Sequence, residues 1–110
     1  MNPKKCAPAK PIDPNVDPDE ELARYAKALG HPARVKILRF LMEQEECMAG
    51  AIAEELPLAQ STVSQHLKVL REAGLIHGEV DGPRICYCAD ETRIERLQGL
   101  LGDLVSPARV

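Results

Sequence analysis

The sequence predicts a mainly α-helical domain with one small β-hairpin, in the order of four helices, two strands and a final helix. Apolar residues recur at helical spacing through most of the chain. Asp-Gly at residues 81 and 82 separates two short strand-like runs, which is typical of a hairpin. The 110 residues suffice for one domain but not for two, and with only 3% aromatic residues the core is expected to be aliphatic.

The chain divides into a flexible arm (residues 1–16), one domain (17–105) and a short C-terminal tail (106–110). The arm contains several prolines and almost no apolar periodicity, which favours a segment without fixed structure. The chain does not begin with a long apolar run or a secretory pattern. We therefore expect a cytoplasmic protein that is not inserted in a membrane and whose 4 cysteines are reduced.

Local start and stop signals define the first two helices. Asp17 can cap the first helix and Gly30 would close it. A second helix is expected over about 32–42, and His31 just before it is expected to act as a cap. The expected buried stripes are Leu22, Tyr25, Ala26 and Leu29 on the first helix and Val35, Leu38, Leu41 and Met42 on the second, with Arg34, Lys36 and Arg39 on the polar side.

A helix-turn-helix unit follows. A short third helix is expected over roughly 49–56, and the proline after it begins the turn. The fourth helix extends from about Gln60 to residue 72, with Ser61 or Thr62 as its cap and Gly74 as its left-handed stop. Strands are then expected over 75–80 and 84–89, before a last helix that spans about 90–105.

The fourth helix carries the residues expected to bind DNA. The net charge of -3 requires any DNA surface to be local, and the stretch 58–71 contains no Asp or Glu. A recognition helix needs a buried stripe and a polar opposite face whose first turns enter the major groove. The polar residues expected to contact double-stranded DNA are Gln60, Ser61, Thr62, Ser64, Gln65 and Lys68, and Arg84 is the expected contact from the hairpin, which would act as a wing.

Three segments, ALGHPARVKIL, STVSQHLKVLREAGLI and DGPRICYCA, resemble the ArsR/SmtB family of metal-responsive repressors, and the similarity covers about 22–104. The resemblance implies a winged helix-turn-helix homodimer joined through its first and last helices. It further implies binding to an inverted-repeat operator and release when an inducer binds. It also implies that His66 faces DNA, with packing between helices as the alternative for this residue.

Cysteines are the candidate ligands of the inducer. The resemblance is incomplete at the family's metal sites, because the last helix has no His for a zinc-type site and Cys47 lacks the second thiol of an arsenic-type Cys-x-Cys pair. In winged folds the stretch before the third helix pairs with the second hairpin strand, which would bring Cys47 beside Cys86 and Cys88, and Cys6 could add a ligand. Because side chains alternate along a strand, Cys86 and Cys88 share one face, which is expected to be partly exposed if Tyr87 faces the core.

Thiolates are soft ligands, so by family resemblance As(III) or Sb(III) is the leading inducer, followed by Zn(II) or Cd(II). A thiol redox sensor is the first alternative, with a disulfide from Cys47 to Cys86 or Cys88, because residues i and i+2 of a strand bridge poorly. A winged-helix interaction module that does not bind DNA is the second alternative. The sequence contains neither a glycine-rich phosphate loop nor a recognisable nucleophile-base pair, so an enzyme is not expected.

Overall fold

The computed structural model describes residues 11–44, 58–81 and 84–105. The elements of this part, in chain order, are α1 (Pro18–Ala28), α2 (Pro32–Met42), α3 (Gln60–Ala73), β1 (Ile76–Asp81), β2 (Arg84–Ala89) and α4 (Glu91–Val105). This order confirms the predicted one. The predicted third helix over 49–56 lies outside the described residues, as do Cys6, Cys47, the C-terminal tail and most of the N-terminal arm, so the fourth predicted helix is α3 here.

The first two helices begin where their capping signals predict. The Asp17 carboxylate accepts a hydrogen bond from the Asp19 N–H at 3.2 Å, and Pro18 occupies the first helical position. The Nδ1 atom of His31 accepts from the Ala33 N–H at 3.0 Å, which confirms its expected role as a cap. The helix α1 ends at Ala28, two residues before the predicted stop at Gly30.

The helix α3 differs from its prediction at one end and confirms it at the other. Its N-cap is Ala59 and no side chain caps it, so the prediction of a cap at Ser61 or Thr62 is wrong because the helix starts before them. At the other end Gly74 has a φ of 91° and donates to the Arg71 carbonyl at 3.0 Å, and the Leu75 N–H donates to the Leu70 carbonyl at 3.1 Å. This pair of bonds is a Schellman motif.

The hairpin packs between the helices. The strands β1 and β2 are antiparallel, with His77 opposite Cys88 and Gly78 opposite Tyr87. The strand β1 packs against α3, and β2 packs against α2. The hairpin is therefore anchored to α2 and α3.

The core is aliphatic around Tyr25, as the composition predicts. The largest fully buried side chains include Tyr25, Ile37, Leu41, Leu70, Leu75 and Ile76. Two residues predicted to be buried, Ala26 and Met42, are exposed. Ala28 on α1 and Ile37 on α2 are buried in addition to Tyr25, Leu38 and Leu41, so the inward sides of the two helices are shifted slightly from the predicted stripes. Within the described ranges, the helices are too short or too polar to span a membrane.

A buried carboxylate joins α1 to α4. Glu21 is 1% exposed and accepts hydrogen bonds from the Tyr25 hydroxyl at 2.8 Å and from the Arg96 Nε at 3.0 Å. Burial by itself would raise the pKa of Glu21, but the hydrogen bonds from Arg96 and Tyr25 outweigh it and lower this pKa. The carboxylate is therefore held ionised, and it fixes the position of the last helix against the first.

A second acid holds the start of α4. Asp90 is buried, and its carboxylate accepts from the Arg93 backbone N–H and from the Arg93 guanidinium, both at 3.0 Å. The Asp90 N–H donates to the Leu75 carbonyl at 2.9 Å. The beginning of α4 is thus bonded directly to the end of α3.

Candidate nucleic-acid interface

The two sides of α3 differ sharply. One side is buried and packs into the core through Val63, His66, Leu67, Leu70 and Ala73. The other side is exposed and carries six of the predicted DNA contacts, namely Gln60, Ser61, Thr62, Ser64, Gln65 and Lys68. The described part of the protein therefore leaves this hydrophilic side uncovered.

The exposed side of α3 is suited to an anionic partner. Its first turn contains no acidic residue, so the backbone N–H groups and the positive end of the helix dipole are not neutralised locally. Lys68 adds a cation two turns further along the same side. Short hydroxyl and amide side chains with one cation can hydrogen-bond phosphate oxygens and base edges.

His66 lies on the buried side. Its side chain is 8% exposed, its ring centroid is 4.5 Å from that of His31, and its Nδ1 is 3.3 Å from the Arg34 Nη1. The expectation that His66 faces DNA does not fit this burial, and the alternative of packing between helices does. Burial, followed by the charges of His31 and Arg34, lowers the pKa of His66, so the neutral ring is favoured.

Arg34 positions α3 and was missed by the sequence analysis, which placed it on the polar side of α2. Its Nε donates to the Ala28 carbonyl at 2.6 Å while its Nη1 contacts His66. One half-buried guanidinium thus connects α1, α2 and α3. No periodicity identifies such a residue, because its acceptors lie on two other helices.

The predicted contact from the wing is only partly described. Arg84 is the first residue of β2. Residues 82 and 83 and the Arg84 side chain lie outside the described part, so a DNA contact at this position stays a prediction.

The two described cysteines share one face of β2, but that face is not exposed. Cys86 is 4% exposed and Cys88 is 2% exposed, so the expectation of partial exposure is wrong. The reason is that both faces of β2 are covered, because Tyr87 is also half-buried and packs against the core. Both cysteines are disulfide-bonded. Among the described residues there is no cluster of three or more His, Cys, Asp or Glu able to hold a metal.

Comparisons with known proteins agree with this geometry. The family model described as "Bacterial regulatory protein, arsR family" matches residues 31–77. The nodulation protein NolR of Rhizobium meliloti is 33% identical over 96 residues, which cover 86% of this chain and 78% of NolR.

Two solved structures are similar in both sequence and fold. A homodimeric winged helix-turn-helix DNA-binding domain from Mycobacterium bovis, described as a possible ArsR-family regulator, is 26% identical with a TM-score of 0.64 and covers 86% of this chain and 90% of that one. A possible transcriptional regulator for arsenical resistance is 27% identical with a TM-score of 0.63, covering 79% of this chain and 97% of that one. The fold is the winged helix-turn-helix that the sequence predicts.

Proposed function

The chain belongs to the ArsR family of bacterial transcriptional regulators, and from this we propose that it is a cytoplasmic repressor that binds an inverted-repeat operator as a homodimer. The observation that carries the proposal is the exposed polar side of α3 over residues 60–68, which contains no acidic residue. A recognition helix packs against its domain through a buried apolar stripe and inserts its exposed polar side into the major groove, and α3 has both sides.

The test replaces two residues of that side. In Gln65→Ala and Lys68→Ala, affinity for the promoter DNA of the protein's own operon is expected to fall about tenfold or more each, measured by fluorescence anisotropy. Lys68→Ala should also reduce the slope of log affinity against log salt by about 1, because one phosphate contact is lost.

Matched controls are Thr92→Ala on α4 and Lys36→Ala on α2, both exposed side chains on other helices than α3. These should bind like the unmodified protein. Unchanged affinity in both α3 variants, with circular dichroism showing intact folds, would favour an interaction module that does not bind DNA.

The homodimer of the proposal is supported by the last helix. Its C-terminal half exposes Leu101, Leu104 and Val105, which are 43%, 63% and 78% exposed. Apolar side chains in a row on one helix favour burial against another surface. A second copy meets this need and supplies the second half of an inverted repeat.

The inducer in this proposal binds cysteine thiolates. As(III) or Sb(III) is the leading candidate and Zn(II) or Cd(II) the next, since sulfur ligands select soft ions. Cys86 and Cys88 share one face of β2, and Cys47 or Cys6 would complete the set. The similarity to a possible regulator for arsenical resistance supports the metalloid.

One observation favours a redox sensor as the second candidate. Cys86 and Cys88 are disulfide-bonded in the structure, so these sulfurs can leave the thiol state without coordinating an ion. Metalloid binding would first require their reduction, because the thiolate is the ligand.

Operator release under controlled redox conditions separates the two. The reduced protein, kept anaerobic on labelled operator DNA, should release it when As(III) or Sb(III) is added, and Cys86→Ala and Cys88→Ala should each abolish that release. Alanine is the better replacement here, since serine would bury a hydroxyl at positions 4% and 2% exposed. Release by an oxidant alone, reversed by dithiothreitol, with no response to metalloids, would instead establish the redox sensor.

A further inference from the structure

A cavity of about 380 Å³ lies beside the second half of α3, between that helix, α1 and the start of α2. Its apolar surface comes from Ala28, Val69 and Ala73. The volume falls within the range of small-molecule sites, and the pocket is open to solvent on one side.

Charged side chains also line this cavity, and the cations among them outnumber the anions. Arg24, Lys27 and Arg34 are cationic, whereas Glu72 is the one acid among the lining residues. In the described part of the chain the ion pairs join other residues, so Glu72 does not neutralise any of these cations directly. The lining therefore keeps an excess of positive charge.

Two of the cations retain donors for a ligand. Arg24 places its Nε 3.5 Å from the Ala73 carbonyl and its guanidinium carbon 5.3 Å from the centre of the Tyr25 ring, and its two terminal nitrogens have no hydrogen-bond partner among the described residues. Lys27 has no side-chain hydrogen bond or ion pair within the same ranges. Arg34 is different, because its Nε and Nη1 already contact Ala28 and His66.

We propose that this cavity binds a small organic carboxylate with an apolar body, of the aromatic-acid class. The apolar body packs on Ala28, Val69 and Ala73, and the carboxylate accepts hydrogen bonds from Arg24 and Lys27. A carboxylate has two oxygens for these two donors, and its charge offsets the positive excess. A neutral ligand would gain nothing from the charge of these two cations, and a cationic ligand would be repelled.

The cavity lies away from the proposed DNA contacts along α3, but Arg34 connects it to the buried side of the same helix. Ala73 lies about 18 Å along the helix axis from Ser61, at 1.5 Å per residue, so a ligand there leaves the first turns of α3 uncovered. The same cavity is lined by Arg34, which contacts His66 on the buried side of α3. A ligand bound in the cavity therefore acts on the contact between Arg34 and His66, which holds α3 in position. The effect on DNA rests on the proposed function, whereas binding of the carboxylate does not.

The first experiment measures binding without DNA. The full-length ¹⁵N-labelled protein is titrated with benzoate, with its neutral analogue benzamide and with acetate, which has the charge but not the ring. Benzoate is expected to shift the amide signals of Ala28, Val69 and Ala73, with an affinity at least about tenfold higher than that of either analogue.

Two variants locate the site. Lys27→Glu is expected to weaken benzoate binding about tenfold, since it reverses a charge beside the carboxylate. Lys36→Glu makes the same charge change at an exposed position outside the cavity and should leave binding unchanged. Val69→Phe fills the apolar part and should abolish binding without changing the net charge.

Equal binding of benzoate and benzamide, equal losses in Lys27→Glu and Lys36→Glu, or signal shifts confined to other residues would each overturn the site. Operator affinity measured with and without benzoate then tests the coupling. Benzoate binding with unchanged operator affinity overturns the coupling alone. Benzoate binding by a protein that never binds operator DNA supports the site and rejects the proposed function.

Discussion

At the scale of single residues, one buried ionisable group, Glu21, is held ionised and another, His66, is held neutral. Glu21 is ionised because Arg96 and Tyr25 donate to it, which lowers its pKa despite burial. Burial lowers the pKa of His66, and the charges of His31 and Arg34 lower it further, so this ring is held neutral. An arginine has only donors, so Arg34 requires a lone pair on the His66 Nδ1, and this contact exists only while that nitrogen is unprotonated.

The depressed pKa of His66 predicts a loss of stability in mild acid. The unfolded chain binds a proton near the ordinary value of 6.5, while the folded protein resists it, so the free energy of unfolding should fall as the pH drops through 6.5. One group contributes at most about 1.4 kcal/mol per pH unit. Urea unfolding between pH 7.5 and 5.5 measures this slope.

The variant His66→Asn should show a smaller slope, although it is less stable at pH 7.5. Equal slopes in the two proteins would show that His66 does not resist protonation in the folded state.

At the scale of elements, α3 is better defined at its end than at its beginning. No side chain caps its first turn, which leaves backbone donors available to an anionic partner. Its last turn is closed by the Schellman motif around Gly74, and Asp90 ties the following residue to α4. The end that is proposed to meet DNA is thus open, and the end that packs into the domain is bonded.

The Gly74→Ala variant tests the closed end. A φ of 91° costs an alanine about 1–2 kcal/mol, and a Cβ at this position would lie 2.8 Å from the Arg93 Cδ. We expect the free energy of unfolding to fall by at least about 1 kcal/mol in urea titrations.

Gly99→Ala is the matched control, because a Cβ there meets nothing within 4 Å and α4 is a regular helix. That variant should be unchanged or more stable by up to about 1 kcal/mol. A Gly74→Ala protein as stable as Gly99→Ala would contradict the role assigned to the left-handed turn.

At the scale of the whole molecule, the polar surface proposed to bind DNA and the exposed apolar surface lie on different helices. The polar side of α3 over residues 60–68, which has no acidic residue, is exposed at one place, and the apolar end of α4 is exposed at another. A regulator that binds two half-sites needs both surfaces, one for each half-site and one to hold the two copies together.

Leu104→Glu is therefore expected to shift the protein from dimer to monomer in sedimentation velocity experiments. Operator affinity should fall by more than about tenfold, because a monomer contacts only one half-site and loses the linked second contact. Thr92→Glu adds the same charge at an exposed position on the opposite side of α4 and should stay dimeric. A dimeric Leu104→Glu protein would place the interface elsewhere.

How far the sequence predicted this protein depends on whether each signal is local. Asp17, His31 and Gly74 were identified correctly as caps or stops, since caps act within a few residues. Glu21 and Arg34 were not identified, although Glu21 stands four residues before Tyr25 on the buried side of α1 and could have been suspected. Their partners are distant in sequence, for example Arg96 for Glu21.

The sequence by itself determined the order of helices and strands, the acid-free polar side of α3 and the ArsR resemblance, because spacing and turn chemistry act over short distances along the chain. Only the tertiary structure decided that His66 and the cysteines of β2 are buried, that Arg34 connects three helices and that a cationic cavity lies beside α3. Burial and charge pairing depend on which elements meet in space, and contacts between residues far apart in the chain decide that.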